Sequence, residues 1–391
     1  KGNYKVIKWD VLDYLLNVSK NLNKVEESEV IDNLVEVVNS IIDYSEDINP
    51  RNYITDWIIF KVIFNLPKEE IGDRHFKFIN DALNNKFNTT LISNDLNEFV
   101  LPKLINNNYN SLIYRLFEII IDYKEKEDER AWDRFNSLLG SYYLEQSLAK
   151  IKAYDSNELK KKLLDLVIDK INEIIAKDSS QFDYIQIPTI EDNPQHSFTD
   201  RYPNQLIMFL RDTLDTLDLI TKREKLDYFF NTDTPNIFKR IGLYLIDVNY
   251  SVFKSYFWGW QENPLELTRA KHEIYELLRN NCNKFDEEEI DLLIDWIEGK
   301  DYFISDYIKS DEQKIKKSIA YKKKEWLLAI KETDYQPVID LFNKYNSVNP
   351  NKISHPGYLT YTETFSGYDS PLDIEEILEK ENSELIEYMN Q

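Results

Sequence analysis

Four histidines, one cysteine and 70 acidic side chains are the stock from which this 391-residue chain could assemble a reactive centre. The nearest approach to a metal-binding spacing is "HEIYE", which puts His272 and Glu276 one helical turn apart on one face. A zincin needs a second histidine where Glu276 stands, so His272 reads as an exposed histidine at a helix start. His196, with Asp192 and Asp200 nearby in sequence, supplies ligand types but no regular element to converge them. "DTLDTLD" spaces Asp212, Asp215 and Asp218 along one helical strip, but without an adjacent aspartate pair or a second such run it reads as a solvated face. Cys282, in "RNNCNKF", has no base beside it, and Ser366 and Ser370, downstream of His355, form no GxSxG elbow. Neither GxxxxGK[ST] nor GxGxxG occurs among only eight glycines, so no loop of backbone donors is available to cradle a phosphate. No catalytic residue, metal ligand or cofactor is assigned, and the chain is read as non-enzymatic.

Charge and composition narrow the remaining classes. A formal net charge of −22 opposes nucleic acid and anionic membrane surfaces and favours basic partner surfaces. A single cysteine excludes an internal disulfide framework and fits a reducing cytoplasm. No apolar run reaches the length of a membrane span, no signal peptide is visible, and a start at Lys1 rather than Met suggests a piece of something longer.

Three stretches remain as candidate protein-binding surfaces. In "NYSVFKSYFWGWQENP", Tyr250, Phe253, Phe257 and Trp260 can share a helical stripe, leaving Tyr256 and Trp258 on other faces. Aromatics at this spacing are usually core; any exposed part of the set, with Tyr256, Trp258 and Trp260 as candidates, is suited to anchoring a partner. "IKSDEQKIKKSIAYKKKEW" gathers lysines, among them Lys316, Lys317 and Lys323, that form either a solvated helix face or a contact for an acidic surface. The Pro-rich stretch "SSQFDYIQIPTIEDNPQHSFTDRYP" contributes His196 and Arg201.

The elements that must carry these residues are helical. Leu164, Val167, Ile168, Ile171, Ile174 and Ile175 recur at three and four positions with Lys and Asp between, and similar patterns fill the chain. About fourteen to eighteen helices are expected, several opened by Pro after a capping residue: Thr234-Pro235, Asn263-Pro264 and Ser370-Pro371. No strict 33- or 34-residue period appears, so the expected fold is all-α, an irregular HEAT/TPR-like helical-repeat array. Loss of periodicity suggests an N-terminal helical subdomain over 1–180, a long loop or linker over 181–203 and a C-terminal helical subdomain with a terminal cap over 204–391. Weak alternation in "FDYIQI" suggests a short hairpin inside the loop.

The succession "NIFKRIGLYLIDVN", "HEIYELLRNNCNKFDEEEIDLLIDWIEG", "YKKKEWLLAIKE", "YQPVIDLFNKYNS" and "GYDSPLDIEEILEKENSELIEYMN" resembles the C-terminal helical-repeat region of bacterial antiviral STAND NTPases. The likeness covers roughly the last 190 residues and is one of spaced features rather than a diagnostic motif. It implies a sensor that binds a phage structural or packaging protein and drives oligomerisation of a longer chain carrying NTPase and effector domains. The Walker motifs are absent here, and the first half of the chain carries no part of the likeness. The alternatives are a helical scaffold or regulatory protein outside defence, or a metal-dependent helical-bundle enzyme; the latter lacks an ExxH pair.

Overall fold

Helices form wherever apolar residues recur at three and four positions, and the protein is an all-α array with 17 α-helical segments among the described residues. The computed structural model describes residues 9–22, 28–46, 52–85, 89–126, 134–193 and 200–359. In chain order the helices are α1 (Trp9–Lys20), α2 (Ser28–Glu46), α3 (Tyr53–Ile63), α4 (Asp73–Leu83), α5 (Thr90–Asp95), α6 (Leu101–Asn106), α7 (Asn110–Ile120), α8 (Ser141–Ala153) and α9 (Asn157–Lys177). There follow α10 (Tyr202–Thr216), α11 (Leu219–Phe229), α12 (Asn236–Val248), α13 (Tyr250–Trp258), α14 (Lys271–Asn281), α15 (Glu287–Gly299), α16 (Glu312–Ala329) and α17 (Gln336–Val348). Contacts separate one unit, Lys1–Gly357, from a second, Tyr358–Gln391. Only Tyr358 and Leu359 of the second are described, so the expected helix start at Ser370-Pro371 lies outside the described residues, as do Ser366 and His196.

The caps are local and readable. Ser156 Oγ accepts from the Leu159 amide at the start of α9, and α9 buries Leu163, Leu164, Val167, Ile168, Ile171 and Ile174, each worth about 1.5–3 kcal/mol. At α15, Asp286 accepts from the Glu289 amide at 2.9 Å and Glu289 accepts from the Asp286 amide at 3.2 Å, a reciprocal capping box. Proline opens α10 and α17, as Pro203 and Pro337, whereas Asn263-Pro264 starts only the 3-10 turn Pro264–Glu266 and Pro235 is itself the cap before α12.

Packing is sequential: α1 on α3, α3 on α4, α4 on α7, α7 on α9, α12 on α13 and α14, and α16 on α17. Across the loop, α10 packs on both α8 and α9, so helices on either side share one continuous hydrophobic core. Residues 181–193 are not free: Phe182, Tyr184, Ile187 and Ile190 are buried. The expected hairpin in "FDYIQI" is instead the end of a 3-10 helix, Ser179–Phe182, followed by turns. A hairpin exists elsewhere, where β1 (Tyr123–Glu125) pairs antiparallel with β2 (Phe135–Ser137), Tyr123 opposite Ser137. It is tied to α9 by Lys177–Glu125 at 3.2 Å and by the Tyr123 hydroxyl donating to Glu173 at 2.6 Å. A π-helical turn, Leu96–Val100, joins α5 to α6, and two carbonyls around it are satisfied from neighbouring side chains: Ser93 O by Asn97 and Asn97 O by Lys150. Close approach of α11 to α12 requires Gly242, since a Cβ there would lie 2.7 Å from the Phe230 ring.

Candidate interaction site

Polar residues of the loop stretch 181–193 and of α10, α12 and α14 meet one another. Arg240 stands at an apolar position of α12, three residues after Ile237, and Glu273 at an apolar position of α14, between Ala270 and Leu277. Their side chains are 2% and 3% exposed and meet in a forked ion pair: Arg240 Nε donates to Glu273 Oε2 at 3.0 Å and Nη2 to Oε1 at 2.8 Å. Glu273 Oε1 also accepts from the Ile190 amide at 3.1 Å, while Arg211 of α10 donates to the Ile190 carbonyl at 2.7 Å. Two ionic side chains from two helices thus hold both backbone groups of one loop residue. Arg211 is shared further with Asp212 and, at 2.8 Å, Asp192.

His272 departs from expectation. It is 2% exposed rather than a solvent-facing helix start, and its Nε2 lies 3.1 Å from Glu191 of the loop. Burial turns Glu276 and Asp247 into weaker acids than usual; Arg279 and His272 oppose that shift at Glu276, and Asn280 and Asn281 at Asp247. Among the described residues no group of three or more His, Cys, Asp or Glu side chains is placed to hold a metal ion. Cys282 is buried and its thiol is pushed up by desolvation, away from the reactive thiolate form.

The three aspartates of "DTLDTLD" do not form one strip. Asp212 is engaged by Lys152 at 2.5 Å as well as by Arg211. Asp215 accepts from the Tyr244 hydroxyl at 3.0 Å and is pushed up by desolvation. Asp218 lies beyond the end of α10 and caps α11 through the Thr221 amide at 2.8 Å; that bond, with Lys161 at 3.0 Å, holds its carboxyl down at about 2.

Beside this cluster an open groove of about 320 Å³ runs between α8 and α10. Its floor is apolar, from Leu148, Ala149, Met208 and Phe209; its rim carries Glu145, Lys152, Asp192, Asp200, Arg211 and Asp212. Gln205 lines it too, with Nε2 donating to the Ser141 carbonyl at 3.0 Å. Arg201, at the end of the loop, donates to Gln186 at 2.5 Å.

The aromatic candidates are half-buried and engaged within the chain. The Trp258 indole stacks on Trp296 of α15 with centroids 5.6 Å apart and donates to the Tyr250 hydroxyl at 2.6 Å. Tyr256 donates to Asp227 at 2.5 Å, and Trp260, beyond the end of α13, packs edge-on against Phe230 at 5.1 Å. Tyr250, Phe253 and Phe257 are buried, as their shared stripe requires. In the lysine cluster, Lys323 pairs with Glu298 at 2.9 Å. Lys324 is buried and donates to the Asn349 and Asn351 carbonyls, both at 2.7 Å, and to Asn346 at 3.1 Å. Lys316 and Lys317 stay exposed and make no ion pair among the described residues. No helix among the described residues is long and apolar enough to cross a membrane.

Sequence reasoning missed Arg211, Arg240, Glu273 and the groove residues Glu145 and Gln205. For Arg240 and Glu273 a signal existed, since each interrupts an apolar stripe at a position that periodicity assigns to the core. For the groove there was none, because it joins residues some 60 apart, as in Lys152–Asp212. Comparison with models of protein families, with curated proteins and with solved structures finds no match to this chain.

Proposed function

We propose that the chain is a non-catalytic recognition module: the sensor part of a bacterial anti-phage protein of the STAND type, working in the cytoplasm and binding a phage protein through its helical surface. The observation that carries this reading is the α8–α10 groove, which combines an apolar floor with a charged rim. Such a combination suits capture of a protein segment, since the floor contributes contact area and the rim selects charge. The exposed Lys316 and Lys317 are further candidate contacts, whereas Arg201, Tyr256, Trp258, Trp260 and Lys323 already have intramolecular partners. The likeness of the C-terminal half to STAND sensor regions supplies the biological setting.

The test is affinity capture with the purified chain from phage-infected and uninfected bacterial lysates. One phage-encoded protein should be enriched from the infected sample and should bind again when purified alone. Recovery of host enzymes only, equal in both lysates, would overturn the sensor reading.

A further inference from the structure

We infer that the α8–α10 groove is a receptor for the guanidinium of an arginine side chain on the partner, an inference that rests on the reading of this face as a protein-binding one. Charge matching on the rim leaves a specific remainder. Lys152 and Arg211 are both matched by Asp212, and Arg211 by Asp192 as well. Glu145 and Asp200 are left with no ion pair among the described residues, so within that set the groove carries two uncompensated carboxylates. An independent observation points the same way. Gln205 is 6% exposed, and its Oε1 is buried without a hydrogen-bond donor. The amide cannot simply be turned over to relieve this, because Nε2 must face the Ser141 carbonyl, which only accepts. The groove therefore offers two carboxylates without an ion pair among the described residues and an apolar floor, and Gln205 in its lining holds a sealed neutral acceptor that an incoming donor would have to uncover. That set matches a guanidinium, whose five donors lie in one plane, whose hydration is weak and whose aliphatic stem packs on Met208 and Phe209. An ammonium fits less well, being a compact and strongly hydrated charge.

The chain's two methionines make the test direct, because Met208 lies in the groove floor. The protein is labelled with ¹³C at the methionine methyls, Met208 is assigned with M389L, and Nα-acetyl-arginine amide is titrated in. A saturable shift of the Met208 methyl is expected, with the uncharged citrulline analogue about two- to fivefold weaker, since exposed charge pairs are worth factors of this order. The variant with E145Q and D200N together, both at exposed positions, is expected to lose that preference, and A149W to abolish the shift by filling the groove without changing its charge. Thermal melts of both variants confirm that they fold. Equal shifts from the two probes, or no shift of Met208, would overturn the inference. The two readings fail separately: an arginine-specific shift with no phage protein captured sinks the sensor but keeps the groove. A phage protein captured equally by wild type and A149W keeps the sensor and overturns the groove as its contact.

Discussion

Replacing Glu273 by alanine is expected to destabilise the Lys1–Gly357 unit by about 3–5 kcal/mol, because it strands the Arg240 guanidinium in the core. Among the described residues Arg240 has no second carboxylate to take its charge: its Nη1 is buried without an acceptor, and its guanidinium lies over the Tyr184 ring, 5.8 Å away. The Ile190 amide loses its acceptor at the same time. With about 2.1 cal/mol/K of unfolding entropy per residue, a loss of this size lowers Tm by roughly 4–7 °C for a unit of this length. Urea denaturation followed by far-ultraviolet circular dichroism, with calorimetry for Tm, measures it. The double replacement of Arg240 by Met and Glu273 by Leu should recover the part of the loss that comes from the stranded charge, since apolar side chains of similar volume carry no desolvation penalty, while the Ile190 amide stays without its acceptor. A single variant that loses less than about 1 kcal/mol, or a double variant as unstable as the single, would refute the claim that the pair is fully desolvated.

Three further outcomes are expected. Trp258→Ala should cost about 1–3 kcal/mol in urea denaturation, because the half-buried indole is packed on Trp296 and Phe285; a cost below about 0.5 kcal/mol would return Trp258 to the surface. Lys324→Met should cost about 1–3 kcal/mol and raise amide exchange near the end of α17, since it leaves the Asn349 and Asn351 carbonyls without their donor; unchanged exchange there would count against the capping role. Asp218 is held down at about 2, so its stabilisation is fully present above the ordinary aspartate range and is lost as pH falls through the folded value. Thermal melts of Asp218→Asn against wild type should therefore differ at neutral pH and converge near pH 2, and a pH-independent gap would contradict the assignment.

What was legible in the sequence follows from the range of the interactions involved. Helix existence depends on residues within four positions, so α9 could be read from its apolar spacing, whereas of the proline starts Asn263-Pro264 opens only a 3-10 turn and Pro235 is itself the cap before α12. The hairpin escaped because its strands are three residues each, too short for a period of two to register. The lysine stretch could be a solvated face, which holds for Lys316 but fails for Lys324, and Arg240 and Glu273 were not singled out at all; in each case tertiary partners offset burial. His272 failed in the same way, because its partner Glu191 lies 81 residues earlier. The groove depends on α8 and α10 lying side by side, which no local pattern encodes.

The double hold on Ile190 also carries a message about the order of events in folding. Its carbonyl is bound by a residue 21 positions away and its amide by one 83 positions away. Neither contact can form until α10 and α14 have each found their neighbours, and the entropy of closing the longer loop precedes any return from it. The loop is therefore the latch of the fold rather than part of its nucleus. In a refolding time course, protection of the Ile190 amide should come last and mark the moment the chain becomes native.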